Sequence, residues 1–96
     1  MAESPADPLG TVTVRYYAAA RVAAGVEHEQ FPVTYGATVA SVLADSVDRH
    51  GAELDRVLAR SSVLLDGVTV HSGPAAARAE VAPGHSLDVL PPFAGG

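Results

Sequence analysis

Ser86-Leu87-Asp88-Val89-Leu90-Pro91-Pro92-Phe93-Ala94-Gly95-Gly96 reads as a strand that runs out into an arm. From Ser86 to Leu90 the residues alternate, which places Leu87 and Val89 on an inner face and Ser86, Asp88 and Leu90 on an outer one. Leu90 is thus an apolar residue on a face that is otherwise polar. Pro91 and Pro92 fix their φ angles and stiffen the root of the arm. Gly95 and Gly96 carry no Cβ, so a terminal carboxylate could pass through a narrow channel without steric hindrance. Fully extended, the six residues from Pro91 span roughly 20 Å. A frayed end without chemistry is the plain alternative.

The strand before it in sequence is a hairpin. Ser62 to Leu65 and Val68 to Val70 flank Asp66-Gly67, a strong tight-turn dipeptide. Between this hairpin and the last strand, Ser72-Gly73-Pro74 breaks the chain, Pro74 to Glu80 is Ala-rich and reads as one helical turn or a loop, and Pro83-Gly84 is a turn. At the other end, Thr11-Val12-Thr13-Val14-Arg15-Tyr16-Tyr17 is a strand with Val12, Val14 and Tyr16 inward. Tyr17 falls on the polar side. Ala18 to Gly25 is expected to be a loop or short turn. Val26 to Val33 is a second strand with Phe31 and Val33 in the core, and Pro32 either makes it an edge strand or sits where no ladder donor is needed. The first two strands form a hairpin.

From Val39 the period changes. Val39, Val42, Leu43 and Val47 have helical spacing, with Thr38 as N-cap and Gly51 as C-cap, and with Asp45, Asp48 and Arg49 on the wet side. Leu54, Val57 and Leu58 suggest a further helical turn. The order β-β-α-turn-β-β-β predicts an α+β domain: a ubiquitin-like β-grasp with a mixed sheet of four to five strands and one main helix on one face. Its first and last strands would be parallel neighbours, which would bring Tyr17 and Leu90 together on the open face with Phe93 just beyond. The expected organisation is a disordered lead-in over residues 1–10, a domain over 11–91 and a flexible Gly-Gly tail over 92–96.

Composition narrows the function. The chain has 96 residues, a formal net charge of −5, no cysteine and no lysine. One core is all that this length supports. Thiol nucleophiles, disulfides and zinc-thiolate sites are excluded. A basic stripe for nucleic acid is absent, and no apolar run is long enough for a membrane span, so neither nucleic acid nor membrane is an expected partner. The acidic, Pro-rich start does not read as a signal peptide, so a cytoplasmic location is expected. His28, His50, His71 and His85 lack metal-ligand spacing and read as surface or turn residues.

With these pieces in place the chain resembles the small, sulfur-carrying subunits of molybdopterin synthase, in the MoaD/ThiS family of ubiquitin-like sulfur carriers. The likeness rests on Tyr16-Tyr17-Ala18 with Arg21 and Gly25, and on Gly84, the strand Leu87 to Leu90, Pro91-Pro92, Phe93, Ala94 and Gly95-Gly96. Val22, His85-Ser86 and Ala94 depart from the usual family residues. The resemblance implies that an E1-like adenylating enzyme uses ATP and Mg²⁺ to activate the Gly96 carboxylate, which then becomes a thiocarboxylate. Sulfur would ride on the chain end, since the sequence has no side-chain thiol. The tail, with Gly95 beside Gly96, would deliver it inside the large subunit of molybdopterin synthase. The carrier would bind no cofactor itself. Tyr17, Arg21, Leu90 and Phe93 are the expected partner-binding residues. Carriers for thiamin, cysteine or natural-product sulfur share the fold and the Gly-Gly end, and so do ubiquitin-like modifiers.

Overall fold

The computed structural model describes residues 8–70 and 74–92. Five strands and four helices follow along them in the order β1 Gly10–Tyr16, α1 Ala19–Ala24, β2 His28–Val33, α2 Val39–His50, α3 Ala52–Leu58, β3 Ser62–Leu65, β4 Val68–Val70, α4 Pro74–Arg78 and β5 Ser86–Leu90. The sheet order is β2-β1-β5-β3-β4. β1 and β5 run parallel, whereas β2, β3 and β4 pair antiparallel with their neighbours. This is the mixed β-grasp sheet that the strand order predicts. Proline-bearing β2 lies at an edge, where its missing N–H costs no ladder bond.

Side-chain parity explains the core. Val12, Val14 and Tyr16 of β1, Phe31 and Val33 of β2, and Leu87 and Val89 of β5 are all buried, and they meet Val39 and Val42 of α2 and Leu54 of α3. The turn between β3 and β4 puts both Asp66 and Gly67 at positive φ, the mirror-image turn whose twist matches a hairpin. Asp66 also accepts a hydrogen bond from Ser86 N–H at 2.8 Å, which ties that turn to the start of β5. At Gly10 a Cβ would lie 2.7 Å from Cβ of Pro83, so the β1 entrance admits no side chain without displacing the proline.

α2 starts as its sequence indicates. Thr38 Oγ1 accepts from Ser41 N–H at 3.1 Å, and Ser41 Oγ accepts from Thr38 N–H at 2.9 Å. The reciprocal pair satisfies two donors at the helix start. Its end is the expected Gly51, whose N–H donates to Val47 C=O.

Three expectations need correction. Ala18 to Gly25 holds a helix, α1, rather than a loop; alanine is the best intrinsic helix former, and Ala20 and Ala24 pack into the core. Regular structure begins before Thr11, since Leu9 N–H donates to Val33 C=O and Gly10 opens β1. β2 begins at His28 instead of Val26. The Ala-rich segment left open between turn and loop is helical over α4. The expected lead-in falls mostly on residues 1–7, and Phe93, Gly95 and Gly96 of the expected tail also lie outside the described residues. No helix among the described residues is long and apolar enough to cross a membrane.

Candidate functional site

The root of the tail is fixed by the centre of the sheet. Val89 pairs with Tyr16 on one side and Val63 on the other, and Tyr17 N–H donates to Val89 C=O at 3.0 Å. Here β1 stops. Ala18 takes φ 53° and ψ −125°, a conformation that side chains disfavour, and the chain swings directly into α1. Tyr17 C=O accepts from Ala20 N–H and Ala18 C=O from Val22 N–H, so the strained residue is held by the first turn of the helix.

α1 packs on α3, and between them at the tail root lies a groove of roughly 670 Å³. Tyr17, Ala18, Ala19 and Ala20 form one wall. Glu53, Arg56, Val57 and Arg60 form the other, and Pro91 and Pro92 line it where the tail leaves. Arg56 pairs with Glu53 at 2.6 Å, with both side chains about two-thirds exposed. Arg60 has no carboxylate partner among the described residues.

Tyr17 and Leu90 share a backbone row, but they serve different surfaces. Tyr17 lines the groove, and Leu90, half-buried, does not contribute to it. Leu90 pairs with Ser62 on the outer face of the sheet, where Leu64 stands opposite Asp88. Asp88 is crossed by Arg15, whose Nε is 3.7 Å from Oδ1. That oxygen is shielded from solvent and accepts no hydrogen bond among the described residues. Arg21 is exposed on α1.

A second polar cluster lies behind the site. The Tyr16 hydroxyl donates to Glu29 Oε2 at 2.6 Å, which leaves Ser46 Oγ, 2.5 Å away and fully buried, to donate to the tyrosine oxygen. His50 Nε2 also reaches Glu29 Oε2, and Arg49 donates to Oε1 at 3.1 Å while its guanidinium covers the Phe31 ring. His50 is therefore a half-buried partner of a carboxylate, with its ring edge-on to Tyr16, and the surface reading of the histidines is corrected at this position. His28 is exposed, His85 accepts from Ala82 N–H through Nδ1, and His71 lies outside the described residues.

Burial pushes the Tyr16 hydroxyl well above the ordinary tyrosine range, and the Glu29 carboxylate adds to the shift. Burial acts to raise Glu29 as well. There the hydrogen bonds from Tyr16, His50 and Arg49 outweigh it and hold the carboxyl below its usual value. The parity of β2 contained the signal for this cluster: Glu29 shares the inward row of Phe31 and Val33. The cluster joins β1, β2 and α2, and it contains no nucleophile poised beside a base. Among the described residues no group of three or more metal-ligating side chains is arranged to hold an ion. The described residues provide a tail root held at the centre of the sheet, a groove beside it and an outer sheet face.

The family model described as the ThiS family matches residues 14–96. Among solved structures, SAMP1 from Haloferax volcanii is 26% identical, with 91% of this chain and 100% of that chain covered and a TM-score of 0.73. A putative molybdopterin converting factor, subunit 1, from Pyrococcus furiosus is 24% identical, covering 88% of this chain and 99% of that one at a TM-score of 0.71. The Haloferax volcanii HVO 2177 protein is 22% identical, covering 99% and 94%, at a TM-score of 0.76. The last two likenesses are of fold. No curated protein matches the chain.

Proposed function

Because this chain belongs to the ThiS family, we propose that it is a sulfur carrier whose Gly96 carboxylate is converted to a thiocarboxylate. The observation that carries the proposal is the extent of the family match, which runs through β5, Pro91-Pro92 and on to Gly95-Gly96. A carboxylate is a poor electrophile, since its charge repels nucleophiles and its oxygen leaves badly. Adenylation by an E1-like enzyme with ATP and Mg²⁺ removes both obstacles. A carboxylate oxygen attacks the α-phosphorus and pyrophosphate departs. The terminal sulfur of a persulfide then attacks the carbonyl carbon, and AMP leaves with the bonding pair. A thiol cleaves the resulting acyl disulfide, which releases the thiocarboxylate and a new disulfide.

In this reading the chain supplies position rather than acid or base. Pro91 and Pro92 aim the tail, Gly95 and Gly96 thread it, and holding the sulfur at the reaction centre replaces a bimolecular encounter. Tyr17, Arg21, Leu90 and Phe93 serve as contacts to partners. The destination we favour is molybdopterin synthesis, with the synthase large subunit as receiver; the Pro-Pro root supports it.

The test is the intact mass of the protein from its native host, followed by incubation with an adenylating enzyme, ATP and a sulfur donor. A species heavier by the exchange of one oxygen for sulfur, mapped to Gly96, is the expected result. An unchanged mass after complete incubation overturns the proposal, as does full activity of a variant carrying one residue beyond Gly96. The SAMP1 likeness favours a second reading, a protein modifier joined through Gly96 to amines of other proteins. Gly96-linked adducts on lysines of other proteins would distinguish it; this chain has no lysine of its own to accept the link.

A further inference from the structure

The groove between α1 and α3 includes Ala20, Arg56, Val57 and Arg60, residues that the tail chemistry leaves without a role. Its lining is largely apolar and includes Tyr17, Ala20 and Val57. Its charged residues are mainly cationic: Arg56 and Arg60 line it together with the single carboxylate of Glu53. On a chain with a net charge of −5 this is a local reversal of sign. The Arg56–Glu53 pair is exposed, and such pairs contribute little, so Arg56 can exchange its partner at small cost. Arg60 has none to exchange among the described residues. Pro92 lines the same groove. Any protein that receives the tail must therefore pass within a few residues' length of these arginines.

We infer that this groove docks an acidic segment of the adenylating enzyme, with carboxylates on Arg56 and Arg60 and an apolar side chain over Val57. The inference rests on the carrier reading for the identity of the partner, while the groove's charge and shape are independent of it. Charge complementarity at such a groove acts mainly on encounter and is weakened by salt. The surface is distinct from the outer sheet face that carries Leu64 and Leu90.

The experiment compares the full chain with Arg56→Glu/Arg60→Glu and with Arg78→Glu, a charge-reversal control on α4. Thiocarboxylate formation is followed by mass as a function of carrier concentration. For the double variant kcat/KM falls about tenfold with kcat within about twofold, and added salt narrows the gap. Arg78→Glu stays near the parent. A double variant indistinguishable from Arg78→Glu, or a loss confined to kcat, overturns the inference. A second arm needs no enzyme. A short synthetic peptide of Asp and Glu around one Leu, with its Lys counterpart as control, is titrated into labelled protein. Shifts at Val57, Arg60 and Tyr17 with the acidic peptide alone support the inference. Shifts on the outer sheet face, no shifts, or groove shifts that appear only after removal of residues 93–96 overturn it, the last identifying the chain's own tail as occupant. If the parent chain takes up no sulfur, the carrier reading fails, and the peptide arm alone decides whether the groove accepts acidic segments.

Discussion

Tyr16 shows how much one side chain can organise. Its ring fills the core and its hydroxyl links Glu29 to Ser46, so it belongs to both the apolar and the polar interior. Tyr16→Phe keeps the ring and leaves Ser46 buried without its acceptor. We expect a loss of about 1–2 kcal/mol in urea unfolding, with the fold retained. Ala18 gives the opposite sign. It holds a positive φ at the bend from β1 into α1, and nothing but its Cβ opposes that geometry. Ala18→Gly should raise stability by roughly 1 kcal/mol, read as a higher urea midpoint at an unchanged slope. These two residues also mark the limits of what sequence discloses. The inward parity of Val12, Val14 and Tyr16 follows from alternation alone. The partner of the Tyr16 hydroxyl does not, because Glu29 comes from β2 and Ser46 and His50 from α2, and these elements meet Tyr16 only in three dimensions.

Elements were legible in proportion to their periodicity. β1, β5 and α2 carry clean patterns and boundary residues, and Asp66-Gly67 fixes a hairpin by its backbone requirement. α1 carries no clear pattern and no side-chain cap at its start: six residues, four of them alanine, follow Ala18, and only Gly25 at the C-cap marks a boundary. Its helix is set by packing on α3, a long-range fact. The same concealment affected the candidate site. Tyr17 was placed on the open face by counting along β1, but β1 ends one residue earlier and α1 turns Tyr17 into the groove wall. α2 is different, since its reciprocal Thr38–Ser41 pair is local. Thr38→Ala should cost about 1 kcal/mol. Circular dichroism at the thermal midpoint would register the change, and Thr38→Asp should recover most of it.

At the scale of the whole molecule, two groups of one cluster make stability depend on pH at opposite ends of the scale. Glu29 ionises more readily in the folded chain than in the unfolded one. Its contribution is complete above the unfolded carboxyl pKa and is lost as pH falls through the lower folded value. Tyr16 behaves in reverse: its folded pKa is raised, so stability is complete below the ordinary value of 10.0 and declines as pH rises past it. Unfolding free energy measured across pH should thus fall at both ends. Glu29→Gln should flatten the acid limb and Tyr16→Phe the alkaline one; an unaltered limb in either variant refutes the assignment. The overall topology also has a consequence in time. β5 is the middle strand of the sheet and pairs with β1, from which it is distant in sequence. The sheet cannot close until β5 inserts beside β1, a non-local step that folds slowly. The segment that roots the tail is the one whose insertion completes the domain. A chain whose β5 has not inserted therefore has no fixed root for the tail, and closure of the sheet is what creates one.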